Sequence, residues 1–216
     1  MTFNEANAVE AFVRDRLSGG TTHHTAVGPG LARRLGQVSG LGWHFLAPQY
    51  LHRQPHEALV EDQVREALVR LNPEIAAQPD RADDVLYKLR AILMGVRGDG
   101  LVKANEEFAA WLTGERSMPF GANGEHVTIH VIDFADVERN QYVVTTQYTY
   151  RAGATEKRAD LVLLVNGIQL VVIEAKTPVR SSQSWVDAAF QLHDDYERNV
   201  PELFVPNVLS VATEGK

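Results

Sequence analysis

Residues 160–176 read DLVLLVNGIQLVVIEAK. Two apolar runs, 161–165 and 168–173, flank Asn166-Gly167, a strong hairpin signal. Both faces of each run are apolar, the pattern of central strands covered on both sides. Asp160 opens the first run, and Glu174-Ala175-Lys176 closes the second. A hairpin returns these three charged residues to one end of a sheet. Charge is expensive to bury without partners, so they are placed there for structural pairing or for chemistry.

The rest of the chain supplies the frame. Its 216 residues suit one domain, or one domain with a helical annex. Cysteine is absent, which excludes a disulfide framework and thiolate metal sites. No apolar stretch is long enough to span a bilayer, and the start, MTFNEANAVEAF, lacks a secretory signal. The expectation is a cytoplasmic protein without membrane association. A formal net charge of −7 argues against tight autonomous binding to DNA, whose ligands are usually basic.

Up to about residue 115 the apolar period is helical. The spacing predicts helices over 5–17, over 56–71, from a cap at Asp83, and over 105–112 with Gly114 as the stop. Residues 18–55 read as loop. After Gly124 the period changes. Strands are expected over 127–133, 141–150, 161–165 and 168–173, then a helix over 185–198 and a last strand over 203–211. The expected fold is therefore α/β: a mixed central sheet flanked by helices. A mainly helical region, 1–120, packs on a core, 121–216. The chain stops directly after a strand, so a longer protein is expected.

Two neighbouring carboxylates repel unless a cation sits between them. Mg²⁺ suits such a pair, because it keeps several waters and takes only one or two protein carboxylates. A lysine beside it can orient a water or offset phosphate charge. Metal, water and lysine together give a route to phosphodiester hydrolysis. The bland alternative is an ion pair at a strand end.

RADLVLLVNGIQLVVIEAK, residues 158–176, resembles the nuclease motif of the PD-(D/E)xK superfamily. More narrowly it is similar to the N-terminal endonuclease region of the R subunit of type I restriction enzymes. Arg158, Asp160, Asn166, Gly167, Leu170, Glu174 and Lys176 carry the match, which extends to 130–134, 139–148 and 200–215. The resemblance implies a PD-(D/E)xK nuclease-like fold, Asp160 and Glu174 as Mg²⁺ ligands, and Lys176 as catalytic lysine. It implies double-stranded DNA as substrate, and methyltransferase and specificity subunits as partners. It also implies an ATP-driven translocase elsewhere in the full subunit. ATEGK carries no phosphate-cradling loop, since Ser210 stands where its first glycine belongs.

There are two departures. Ala159 replaces the proline of the superfamily name. The family's Gln-x-x-x-Tyr motif appears as Gln191 and Tyr196, five apart instead of four. On an ideal helix a four-residue gap turns about 40° and a five-residue gap about 140°. The pair would share a face only across a bulge. Gln191 is retained as a candidate, and Tyr196 reads equally as core.

The hairpin must also satisfy a parity condition, because directly paired residues share a face. A two-residue loop would pair Val165 with Ile168 and Asp160 with Ile173, turning Glu174 away. A three-residue loop, 165–167, would pair Asp160 with Val172 and bring Glu174 and Lys176 to its face. The three-residue loop is expected, with Gly167 left-handed.

Among other residues, Glu106 or Glu107 is a possible third acid. Lys103, Lys157, Arg158 and Arg180 are possible phosphate contacts. His23-His24 reads as solvated loop, His130 as a packed strand residue, and Ser181, Ser182 and His193 as no nucleophile arrangement. The rival readings are a stand-alone nuclease of the same superfamily and a non-catalytic docking module of a DNA-processing complex.

Overall fold

The structure is a computed structural model that describes residues 5–19, 40–176 and 184–214. Around the hairpin it is the expected mixed α/β arrangement. A five-stranded sheet has the order β1 (His44–Phe45), β4 (Tyr142–Ala152), β5 (Thr155–Val165), β6 (Ile168–Ala175) and β7 (Leu209–Thr213). β4, β5 and β6 are antiparallel neighbours, and β1 and β7 add in parallel at the two edges. A small second sheet pairs β2 (Ser117–Met118) with β3 (Val127–Thr128).

The helices are α1 (Glu5–Ser18), α2 (Glu61–Leu71), α3 (Pro73–Ala77), α4 (Arg81–Asp99) and α5 (Leu101–Leu112). A last helix, α6, opens as Trp185–Phe190, passes through a π-helical turn at Gln191–Tyr196, and closes as Glu197–Asn199. Its start is fixed by a capping box between Ser184 and Asp187. No described helix is long and apolar enough to cross a membrane.

One core runs from Leu51 to Val205 and joins α2, α4 and α5 to Val162, Leu164 and Val172 of the hairpin. On the other side, Val13 and Leu17 of α1 pack on Val144, Leu161, Leu163 and Ile173. Both faces of the hairpin are thus covered, as its unbroken apolar runs require.

Several boundaries depart from the expected ones, each for a local reason. α2 begins at Glu61, not at residue 56, because the Val60 N–H is taken by Gly167 O (2.9 Å). The cap of α4 is Asp80, and Asp83 instead pairs with Arg65 in the first turn. α5 starts at Leu101, after a break at Gly100 with φ 87°. Of the strand expected over 127–133, only Val127–Thr128 pairs. Ile129, Val131 and Ile132 are buried without a ladder. There the Asn72 amide replaces a strand partner: it accepts from His130 N and donates to His130 O, each at 2.8 Å. His130 itself is exposed. β5 starts before its apolar run, since polar residues 155–158 pair with 149–152 across a turn. The strand expected over 203–211 is a 3₁₀ turn, Pro201–Leu203, followed by β7.

The expected three-residue hairpin loop is also corrected. Asn166 and Gly167 form a two-residue turn with φ 52° and 79°, and Val165 pairs with Ile168. This is the type I′ geometry favoured by Asn-Gly. Its cost at Asn166 is offset by a fully used side chain. Oδ1 accepts from Gln141 N (2.8 Å) and Arg70 (2.9 Å), and Nδ2 donates to Val131 O and Asn140 Oδ1 (both 2.8 Å). Parity is restored further along. Leu164 pairs with Gln169 but Leu163 with Val171, which leaves Leu170 as a bulge. Val162 then faces Val172 and Leu161 faces Ile173. The same register carried one step beyond the ladder would set Asp160 opposite Glu174.

The turn is also the contact point of α2. A Cβ on Gly167 would meet Val60 O at 2.5 Å, whereas one on Gly153 (φ 59°) would meet nothing within 4 Å. Gly153→Ala should cost about 1 kcal/mol from its backbone conformation, and Gly167→Ala more than about twice that. Urea denaturation of the two variants checks this; equal losses would contradict the close approach.

Candidate functional site

The β5–β6 ladder ends at Leu161 and Ile173, and beyond it the strands part. The Ala175 N–H, with no β5 carbonyl to meet, donates to Asp160 Oδ2 (2.8 Å). On the other edge Lys176 N donates to Thr213 O (2.8 Å), which ties the end of β6 to β7. Glu174 and Lys176, two residues apart, therefore project together. Lys176 Nζ lies 3.2 Å from Glu174 Oε1 and donates to Gln191 Oε1 at 2.5 Å. Lys176 thus contacts Glu174, and the charges of both residues and of Asp160 act on one another.

α6 closes the other side. Gln191 Nε2 donates to Tyr196 OH (2.8 Å), and that hydroxyl donates to Arg158 O (3.0 Å). The five-residue spacing works because residues 191–196 form the π-helical turn. A π turn closes on i and i+5, where an α turn closes on i and i+4. The bulge needed for a shared face is present. Tyr196 is both core, at 5% exposed, and the anchor of Gln191. A chain of four side-chain groups thus runs from Glu174 through Lys176 and Gln191 to Tyr196.

The electrostatics of the site are those of a partly compensated pair. Glu174 is 3% exposed, and among the described residues its Oε2 has no hydrogen-bond partner. Burial pushes its carboxyl up to about 7, with the Asp160 charge adding to the rise and Lys176 opposing it. Burial raises Asp160 as well, against the Ala175 N–H and the charges of Lys176 and Arg158. Burial first, then the Glu174 charge, raises Tyr196. A cation between the carboxylates would replace their repulsion by a shared attraction. No group of three or more His, Cys, Asp or Glu among the described residues is arranged to hold a metal. The donor set is thus two carboxylates, which is enough for an ion that keeps most of its water.

The remaining candidates lie elsewhere. Glu106 and Glu107 are exposed on α5. Lys103 pairs with Asp99, Lys157 with Asp195, and His193 with Glu197. Arg158 is exposed, and its charge reaches Asp160. His23, His24, Arg180, Ser181 and Ser182 fall outside the described residues. Sequence reasoning missed two residues beside Asp160. Glu10 of α1 is 6% exposed and accepts from Gln147 Nε2 at 2.8 Å. Its position carried a signal, because Glu10, Val13 and Leu17 recur at helical spacing on one stripe. A charge on an apolar stripe marks a buried acid.

Comparison with known proteins gives the chain a family. Residues 35–216 match the profile of the family described as the type I restriction enzyme R protein N terminus. The endonuclease subunit of the HindI type I restriction enzyme of Haemophilus influenzae is 32% identical over 157 residues, covering 71% of this chain and 14% of that protein. A protein of Methanocaldococcus jannaschii, named as the MjaIXP type I restriction enzyme endonuclease subunit, is 24% identical over 190 residues, covering 83% of this chain and 18% of its own. The chain spans less than a fifth of either relative. It belongs to the family of type I restriction enzyme R protein N termini.

Proposed function

We propose that the chain is the Mg²⁺-dependent, PD-(D/E)xK-type endonuclease part of a type I restriction enzyme, and that it cuts double-stranded DNA. The observation that carries this reading is the buried, unpartnered Glu174 Oε2 beside Asp160 and Lys176. Buried polar atoms are as a rule hydrogen-bonded, so an orphaned oxygen on an acid that also faces the charge of a second acid favours a missing cation over a structural ion pair. This separates the reading from that of a docking module.

Asp160 and Glu174 would hold the ion. Bound there, Mg²⁺ supplies Lewis acidity and neutralises charge at the scissile phosphate. Asp160 is oriented by the Ala175 N–H, which donates to its Oδ2. Lys176 is placed to orient the attacking water or to offset phosphate charge. Gln191 holds its ammonium, and Tyr196 holds Gln191, so the lysine is positioned by a buried scaffold. A net charge of −7 leaves DNA capture to other parts of the enzyme. In this reading those are its own translocase region, which uses ATP, and the methyltransferase and specificity subunits.

In the assembled enzyme, Asp160→Ala, Glu174→Ala and Lys176→Ala should each abolish cleavage, while ATP-driven translocation survives. Normal cutting by Lys176→Ala would sink the assignment. By itself the chain should bind duplex DNA no tighter than about micromolar at physiological salt, and more weakly as salt rises; nanomolar affinity in a gel shift would contradict this.

The raised carboxyls also set a pH dependence. The metal-free folded chain holds protons that the unfolded chain has released. Its stability therefore falls as pH rises from the ordinary glutamate value of 4.5 through about 7. In EDTA the melting temperature should drop across that window, and Glu174→Gln should flatten the drop. Mg²⁺ should stabilise more above the window than below it. A melting temperature independent of pH and of Mg²⁺ would contradict this account of the carboxyl pair.

A further inference from the structure

Gln147 lies in the middle of β4. Its neighbours keep the ladder, Thr146 with Leu161 and Tyr148 with Ala159, but Gln147 itself makes no pair. The position across from it is Asp160. Its φ is +52°, a conformation that costs an ordinary L-residue about 1–2 kcal/mol. Among the described residues the other non-glycines at positive φ are Asn123 and Asn166, both in turns and both of the type that tolerates it. A glutamine held this way inside a strand is strain that the surroundings impose, and such strain concentrates at functional sites.

The strained residue joins two acids. Gln147 Nε2 donates to Glu10 Oε2 at 2.8 Å, and its place across the gap in the ladder sets it beside Asp160, whose charge also acts on Glu10. Glu10 is 6% exposed, and the nearby charges acting on it are Asp160, Arg158 and Arg14. Burying a carboxylate here is expensive, and packing alone would favour an apolar residue at this point of the stripe formed with Val13 and Leu17. α1 is meanwhile seated on the sheet by those two residues, so its position relative to β4 and β5 is fixed.

We propose that Glu10 and Gln147 are positioning residues for Asp160, so that α1 completes the metal site it never touches. Glu10 fixes the Gln147 amide, and the amide fixes the rotamer of Asp160 toward Glu174. Neither residue is a ligand. This inference rests on the reading of Asp160 and Glu174 as metal-holding, and the test separates the two.

In the assembled enzyme, the Mg²⁺ concentration for half-maximal cleavage would be measured for Gln147→Gly, Glu10→Leu and Glu10→Gln, with Asp160→Ala as reference. Mn²⁺ binding without nucleotide, taken as the signal lost in Asp160→Ala, gives a readout independent of turnover. Gln147→Gly removes the amide while relieving the backbone strain, so it should melt no lower than the wild type. It should nevertheless need about tenfold more Mg²⁺ or beyond, the usual loss when a ligand's supporting partner goes. Glu10→Leu should shift the requirement similarly, and Glu10→Gln, which keeps an acceptor for Gln147, should rescue it. If Asp160→Ala is inactive while Gln147→Gly and Glu10→Leu keep the wild-type metal requirement and Mn²⁺ affinity, the positioning role is overturned. If Asp160→Ala cuts normally, the underlying metal reading fails instead.

Discussion

Side chains on a strand change face at every residue, so the residue count between Asp160 and Glu174 decides whether their carboxyls can meet. A tight Asn-Gly turn by itself gives the wrong parity. The bulge at Leu170 gives the right one. Everything at the site follows from that extra residue. With it, the register carried one step beyond the ladder would set Glu174 across from Asp160, Lys176 repeats the face of Glu174, and the parted strand ends leave the Ala175 N–H to orient Asp160. The two anchors of the register lie apart. Asn166 and Gly167 lock the turn onto α2 and the 131–141 segment, while Leu170 O accepts from Val208 N (2.8 Å) where the chain enters β7.

Within this frame the site is built to be incomplete. A buried carboxyl sits beside a half-buried one, one oxygen of the buried group has no partner among the described residues, and a single lysine offsets part of the charge. In a protein interior such a pair is costly unless a cation joins it. The lysine pairs with Glu174 and is held from the other side by Gln191, which Tyr196 anchors. The π turn in α6 serves that restraint. An α-helical segment would leave Gln191 and Tyr196 on different faces, and one wider turn aligns them at the five-residue spacing this chain carries. π turns are frequent at functional sites.

Much of this was legible in the sequence, and the reasons for the rest are physical. The hairpin was legible because its residues are apolar on both faces, and the charged cluster because acids rarely end such strands. The five-residue gap between Gln191 and Tyr196 allows a shared face only across a bulge, and the π turn supplies that bulge. The turn length was misread because the parity condition was assigned to the loop, whereas the bulge at Leu170 answers to contacts with the segment before β7. The 127–133 stretch alternates like a strand, yet its backbone is met by the Asn72 side chain, a long-range contact that no local pattern reports. The strain at Gln147 is invisible for the same cause, since it exists only when β4, β5 and α1 are assembled. Glu10 could have been found, because it interrupts the apolar stripe of its own helix.

The central claim is that Asp160 and Glu174 together hold a divalent cation that the rest of the site is shaped to receive. Anomalous scattering from crystals grown with Mn²⁺ tests it most directly. The account predicts a single strong peak bridging the Asp160 and Glu174 carboxylates, with Glu174 Oε2 as a ligand and Lys176 still held by Gln191. Crystals at saturating Mn²⁺ with no peak between the two carboxylates, and with Glu174 Oε2 still lacking a partner, would contradict it.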